Sequence, residues 1–207
     1  MTEELKTKTA LLLLAGGRSS RMGGVNKALL PFNGGTLSGA VLARLGRDFA
    51  SLWVSANRDA EAFEREGFRT LPDVREGFPG PLGGIEALGV RLDAEASAVE
   101  WVMVAPCDTP FLPEDLFERL SAAAAADRAA GRAKTAYVAH AAGRLQGTAA
   151  LLSREALRSA GAFLDAGERK LGLWYERMGA GVVRFEDAAP EAFENINTPE
   201  DLRKWSE

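Results

Sequence analysis

Thr9–Lys27 reads TALLLLAGGRSSRMGGVNK. Its first seven residues, Thr9–Ala15, form a continuous apolar run stopped by Gly16-Gly17, the pattern of a strand buried on both faces. The rest carries Gly16, Gly17, Gly23 and Gly24 with Arg18, Arg21 and Lys27, and no carboxylate. Bare backbone N–H groups and clustered positive charge just past a strand end are what an anion site needs. Two common phosphate loops do not fit. A G-x-G-x-x-G turn would need glycine where Arg18 and Ser19 stand, and in G-x-x-x-x-G-K-[ST] the second glycine would fall on Arg21 or Met22. The letters therefore support neither a dinucleotide-binding dehydrogenase nor a P-loop NTPase.

Outward from this stretch the chain alternates short apolar runs with helical spacing. Strands are expected at Leu52–Ala56, Phe68–Leu71 and Glu100–Ala105, and late at Val182–Phe185. Helical spacing marks Leu37–Phe49, Ala60–Glu66, Leu82–Leu92 and Ser153–Leu164, and a helix opened by Pro113 runs through Leu120 toward Gly131. Lys134–His140 and Leu145–Ser153 flank Gly143-Arg144 as a hairpin. Thr198-Pro199-Glu200-Asp201 starts a final helix, with Thr198 at the N-cap, proline at N1 and acids in the first turn. Strands alternating with helices predict an α/β protein: a Rossmann-like three-layer α/β/α arrangement, its sheet mostly parallel with an antiparallel hairpin added. No repeat or linker interrupts it, so the expectation is one domain over 1–207.

The 207 residues suffice for a full core, and 46% hydrophobic with 26% charged residues is a globular composition. A net charge of −4 gives no reason to expect nucleic acid or an anionic membrane. The distribution is more telling. Leu5–Arg47 holds no Asp or Glu but includes Lys6, Lys8, Arg18, Arg21, Lys27, Arg44 and Arg47, a basic end suited to a small polyanion. Cys107 is the single cysteine, which excludes an internal disulfide and favours a reducing compartment. TALLLLA is too short to span a bilayer, and MTEELKTKT lacks a signal-peptide layout, so a cytoplasmic location is expected.

Read whole, LAGGRSSRMGGVNK resembles the signature L-x-G-G-x-[SA]-x-R-M-G-x-D-K of nucleotidyltransferases that join an NTP to a phosphorylated acceptor. Together with SANRD, LPDVREGFPGPLGGI, VAPCDTPFLPEDL, LDAGERK and FENINTPEDL, in that order over nearly the full length, the chain resembles the molybdenum cofactor guanylyltransferases, the MobA-type proteins. The resemblance implies a nucleotide-diphospho-sugar-transferase-like fold and transfer of GMP from GTP to the terminal phosphate of molybdopterin. It also implies Mg²⁺ as cofactor, and molybdenum-insertion proteins and molybdoenzyme apoproteins or their chaperones as partners. A monomer is expected, with no nucleic acid and no membrane.

Residue by residue, the resemblance assigns Arg21, Lys27 and Asp108 to catalysis. GTP would be bound by Leu14, Ala15, Gly16, Gly17, Lys27, Ser55, Asp73, Pro81, Leu82, Gly83 and Asp108. Arg21 and Lys27 would meet the phosphates that leave as pyrophosphate, and Asp73 and PGPLGGI would meet the ribose and guanine. Asp108 follows the strand WVMVA, and a carboxylate at a strand's C-terminal end beside a triphosphate loop is placed to hold Mg²⁺. Asn195 and Asn197, with Arg169 and Lys170, fall on the acceptor side. Cys107 reads as packing, and the lone His140 has no support as a general base, since an ionised phosphate nucleophile needs none.

Three positions depart from the pattern: Asn26 where the signature has Asp, Ser55 where guanylyltransferases commonly carry Asn, and Gln146-Gly147 in place of a His-Pro or Gln-Pro pair. Alternatives stay open at this point. They are a molybdenum cofactor cytidylyltransferase, another nucleotidyltransferase acting on a phosphorylated small molecule, and a nucleotide-binding partner that has lost its chemistry.

Overall fold

A computed structural model describes residues 2–16, 26–77 and 79–205. The apolar run forms β1 (Thr9–Leu14), which lies inside a seven-stranded sheet with every residue buried. Its neighbours are β4 (Ser51–Ser55) on one side and β6 (Trp101–Pro106) on the other, both parallel to it. β5 (Arg69–Leu71) extends the sheet beyond β4. On the far side β8 (Arg144–Ser153) runs antiparallel to β6 and to β7 (Ala136–Ala141), and β9 (Gly181–Arg184) pairs parallel with β7. The order is β5-β4-β1-β6-β8-β7-β9, and the hairpin β7–β8 is threaded into the sheet itself.

Alternation along each strand divides the side chains between two cores, which is why β1 needs apolar residues at every position. Leu11 and Leu13 join the face covered by α2 (Leu37–Leu45), α3 (Ala60–Arg65) and α5 (Leu116–Ala129). Ala10, Leu12 and Leu14 join the opposite face, under α4 (Pro81–Ala94), α6 (Arg154–Asp165) and α7 (Leu171–Arg177). Each fully buried leucine here is worth about 1.5–3 kcal/mol relative to exposure. Three layers result, as expected from the alternation of elements.

Several boundaries moved for local reasons. α2 ends at Leu45, where Gly46 N–H closes on Leu42 O at 2.9 Å, so the predicted turn to Phe49 is not helical. α5 begins at Leu116, three residues past Pro113. Four short elements were not expected: α1 (Thr2–Lys6), the small hairpin of β2 (Pro31–Phe32) and β3 (Gly35–Thr36), and α7. α8 (Pro199–Trp205) closes the chain, and Leu202 and Trp205 pack with Phe111, Phe32, Leu37 and Ile196 in a third small cluster. Among the described residues no helix is long and apolar enough to cross a membrane.

The topology sets where ligands can enter. From β1 the chain passes to β4 on one side, and from β6 it passes to β7 on the other. The loops leaving their C-terminal ends therefore diverge and open a crevice, the usual ligand position in such sheets.

Candidate active site

Backbone hydrogen bonds carry the sheet past its formal ends and align the loops of the crevice. Ala15 N–H donates to Ser55 O at 3.1 Å, and Cys107 N–H to Leu14 O at 3.3 Å. Leu14, Ala15 and Gly16 thus lie at the crevice floor. Gly17 and Arg21 lie outside the described residues, as do Gly23 and Gly24.

The chain re-enters at Asn26, whose side-chain oxygen accepts from Ala28 N–H at 3.3 Å and caps a 3-10 turn over Lys27–Leu29. That turn aims Lys27 across the crevice. Its Nζ donates to Asp108 Oδ2 at 2.6 Å and to Asn197 Oδ1 at 2.7 Å, joining residues 81 and 170 positions away. Lys27 and Asp108 are 19% and 21% exposed. They are partly shielded yet open on one side to a ligand.

Asp108 is held from behind. Its carbonyl accepts from Ile196 N–H at 2.8 Å, and the neighbouring Thr109 hydroxyl donates to Asn195 Oδ1 at 2.7 Å. ENINTP is thereby strapped onto the loop after β6. Asp201 completes the strap, its carboxylate accepting from Asn197 and Thr198 N–H at 2.9 Å each while Thr198 Oγ1 accepts from Asp201 N–H at 3.0 Å. These bonds, the one from Asn197 N–H above all, hold the Asp201 carboxyl below the ordinary range.

The other half of the crevice lies beyond β4 and β5. Asn57 and Asp73 pair reciprocally: Asn57 Nδ2 donates to Asp73 Oδ2 and Asp73 N–H donates to Asn57 Oδ1, both at 2.9 Å. Asp73 also lies against the first turn of α4, where a Cβ on Gly83 would come 3.1 Å from Asp73 Oδ1 and 2.2 Å from Pro79 Cγ. Leu82 is fully buried in the core, so of this residue only backbone can face a nucleotide. Gly84 has a packing reason: a Cβ there would stand 2.4 Å from Ser55 Oγ. Ser55 is accordingly buried beneath α4. The segment after Asp73 is braced by Arg75, which binds both oxygens of Glu86 at 2.7 Å and Asp165 at 2.6 Å. The two carboxylates raise the Arg75 pKa, and the brace neutralises the buried Glu86.

The remaining expected site residues separate. Arg169 turns back on the end of α6, donating to the carbonyls of Leu164 and Glu168 at 2.9 and 2.7 Å. Lys170 occupies the N-cap position of α7 without a side-chain capping bond. Among the described residues no hydrogen bond joins either side chain to Lys27 or Asp108. Gly147 lies against α7, while Gln146 Nε2 donates to Ala141 O at 3.1 Å within the hairpin. Leu171 lies 3.3 Å from where a Gly147 Cβ would be, and the buried Tyr175 hydroxyl, its pKa raised by burial, donates to Gly147 O at 2.8 Å. Cys107 is buried, and desolvation, then the adjacent Asp108, push its thiol up, in keeping with a packing role.

Sequence reasoning missed Asn57, Asp59, Thr109 and Arg75. All lie in stretches quoted for the family resemblance, but their roles depend on partners far away in the chain. Among the described residues no group of three or more His, Cys, Asp or Glu could hold a metal by itself. The donor set is one carboxylate, Asp108, beside amide and hydroxyl oxygens, its Oδ2 facing the Lys27 ammonium and its Oδ1 the Thr109 hydroxyl. That fits Mg²⁺, which is often held by one or two carboxylates together with substrate phosphates and water.

A family model described as the MobA-like NTP transferase domain matches residues 11–180. The chain is 37% identical to the molybdenum cofactor guanylyltransferase of Photobacterium profundum, over 97% of this chain and 96% of the relative. It is 39% identical to that of Bordetella pertussis, over 93% and 94%. In fold it matches molybdopterin-guanine dinucleotide biosynthesis protein A of Archaeoglobus fulgidus with a TM-score of 0.69 at 23% identity, over 95% of this chain and 96% of that one. Lys27 after β1, an acid after β6 and a C-terminal strap converge on one crevice, and with these likenesses they place the chain in the MobA-like NTP transferase family.

Proposed function

We propose that this chain transfers GMP from GTP to the terminal phosphate of molybdopterin, or of its molybdenum-bound form, releasing pyrophosphate. The observation that carries the reading is the seat of Lys27, between Asp108 and Asn197 at the crevice mouth. There one cation adjoins both a carboxylate suited to Mg²⁺ and an amide on the strap that we assign to the acceptor. The acceptor phosphate, already ionised near neutral pH, attacks the α-phosphorus in line. A new P–O bond forms, the bond to pyrophosphate breaks, and no general base is required.

In this reading Lys27 and Arg21 bind the β- and γ-phosphates and take up the charge that develops on the leaving group. Leu14, Ala15, Gly16 and Gly17 offer backbone to the phosphates, while Asp73, Pro81, Leu82 and Gly83 hold the nucleoside, with Ser55 beneath them. Asn195 and Asn197 orient the acceptor, and Arg169 and Lys170 meet it only if their loop reorganises on binding. Mg²⁺ held by Asp108 and the phosphates would neutralise charge on the α-phosphate and leaving group. The enzyme works in the cytoplasm as a monomer, handing product to molybdoenzyme apoproteins or their chaperones.

The test supplies purified protein with Mg²⁺, molybdopterin and each NTP in turn. The expected product is the guanine dinucleotide, from GTP alone. Product from CTP but not GTP would move the protein to cytidylyl transfer, and turnover of a sugar phosphate without molybdopterin would reject the acceptor.

A further inference from the structure

Asn26 is 6% exposed and both ends of its amide are used. Oδ1 accepts from Ala28 N–H at 3.3 Å, and Nδ2 donates to Asp59 Oδ2 at 3.1 Å. Asp59 stands at the start of α3 in a left-handed conformation, φ 62°, yet its side chain does not cap that helix. It turns instead toward Asn26, with Arg58 Nε 3.6 Å from the same oxygen. A non-glycine residue at positive φ is held there by its surroundings, and here the visible partner is the residue next to Lys27.

The chemistry at position 26 is demanding. One neighbour is a donor and the other a carboxylate, so the side chain must accept from one and donate to the other while remaining neutral. Asparagine does both. Aspartate could still cap the turn but would set two carboxylates face to face, and an apolar residue would leave Asp59 without this donor.

From this arrangement we propose that Asn26 and Asp59 form a positioning pair for Lys27, and that residues 57–59 couple the two halves of the nucleotide site. Asn57 grips Asp73 on the nucleoside side and Asp59, two residues on, grips Asn26 on the phosphate side. One short segment after β4 therefore sets the spacing between the group that holds the nucleoside and the ammonium that meets the phosphates. The acid that the signature places before the lysine is here carried on the facing segment, and the pair keeps one negative charge. The coupling to phosphate rests on the guanylyl-transfer reading; the positioning of Lys27 does not.

The test compares wild type, N26D, D59A and the exchange N26D/D59N by two measurements. One is the affinity for GTP. The other, made without nucleotide, is the rate at which an N-hydroxysuccinimide ester acylates Lys27, read by peptide mass. N26D is expected to weaken GTP binding about tenfold and to speed Lys27 acylation severalfold, as contacting residues couple. D59A should shift both in the same direction by less. The exchange should return both toward wild type, because the carboxylate then at position 26 can accept from the amide then at position 59 and from Ala28 N–H. A merely structural contact would shift the unfolding midpoint in these variants and leave the acylation rate of Lys27 unchanged.

Unchanged acylation and affinity in both N26D and D59A, or an exchange no better than N26D, would overturn the proposal. If wild type binds no GTP while acylation still follows the pattern, the guanylyl reading falls and the positioning pair stands. Should N26D not fold, D59A and the exchange decide the matter by the same two measurements.

Discussion

The two ends of the sheet each carry a carboxylate held by a cationic partner, and the two clusters are built differently. At the C-terminal edge Asp108 faces the Lys27 ammonium, with Asn197 as second acceptor. At the N-terminal edge Asp93, at the end of α4, takes Arg154 and Arg158, and Arg154 also reaches the carbonyls of Ser97 and Val99. The second cluster is the richer in ion pairs. Its two arginines, Arg158 first, hold the Asp93 carboxyl down to about 2. A broad surface groove lies beside it, lined by Glu100, Trp101, Arg128 and Glu155. Even so, the arginines there fasten α6 to the end of α4, so their charge is spent internally. At the C-terminal edge the loop after β6 and the chain's end converge on one half-open ammonium. Convergence of separate segments, and not the number of charges, distinguishes the candidate site.

That contrast can be broken most sharply at Asp108. Asp108→Asn removes the charge opposite Lys27 and the expected Mg²⁺ ligand, and should lower dinucleotide formation by about 10²-fold or more, with the unfolding midpoint little moved. A turnover within a few-fold of wild type would show that this edge is no more catalytic than the other.

Lys27→Ala comes next. It should weaken GTP binding by about 1.5–3 kcal/mol, the worth of a charge-assisted contact, when measured by titration. An affinity equal to wild type would remove the ammonium from the donor site.

The smallest effect is expected at Asp93. Its pKa is lowered in the folded state, to about 2 from an ordinary 3.8. Its pairing therefore stabilises the protein above the unfolded value and is lost as pH falls through the range between them. Asp93→Asn should flatten the stability profile between about pH 4 and pH 2 while leaving GTP affinity at neutral pH unchanged. The pair is solvent-exposed and screened, so the flattening is small. A loss of GTP affinity in that variant would give the N-terminal edge a functional role.

Much of the frame could be read from the letters, because it depends on neighbours in sequence. TALLLLA and EWVMVA declare central strands by their long apolar runs, and GGRSSR punctuates the first of them. Asp108 was legible for the same reason, a carboxylate directly after a buried strand. α7 was not, because Leu171–Arg177 carries only about two turns of pattern and is helical where Trp174 and Tyr175 bury in the core they share with β8. Nor do the letters show that Arg169 folds back on α6, or that Gly84 is small on account of Ser55.

By itself the sequence determined the layered α/β architecture, the place of the basic, glycine-rich stretch after the first strand, and the acid after the fourth strand of the parallel set. Each is encoded in local periodicity and punctuation, which a few adjacent residues suffice to express. Only the tertiary structure decided that Lys27 meets Asn197 from 170 positions away, that Asn57 clasps Asp73, and that Asn26 answers Asp59. Those contacts arise because the sheet order brings the ends of β1, β4, β5 and β6 to one edge. A hydrogen bond is made by whichever groups the fold sets within about 3 Å of each other, and sequence separation does not enter its energy.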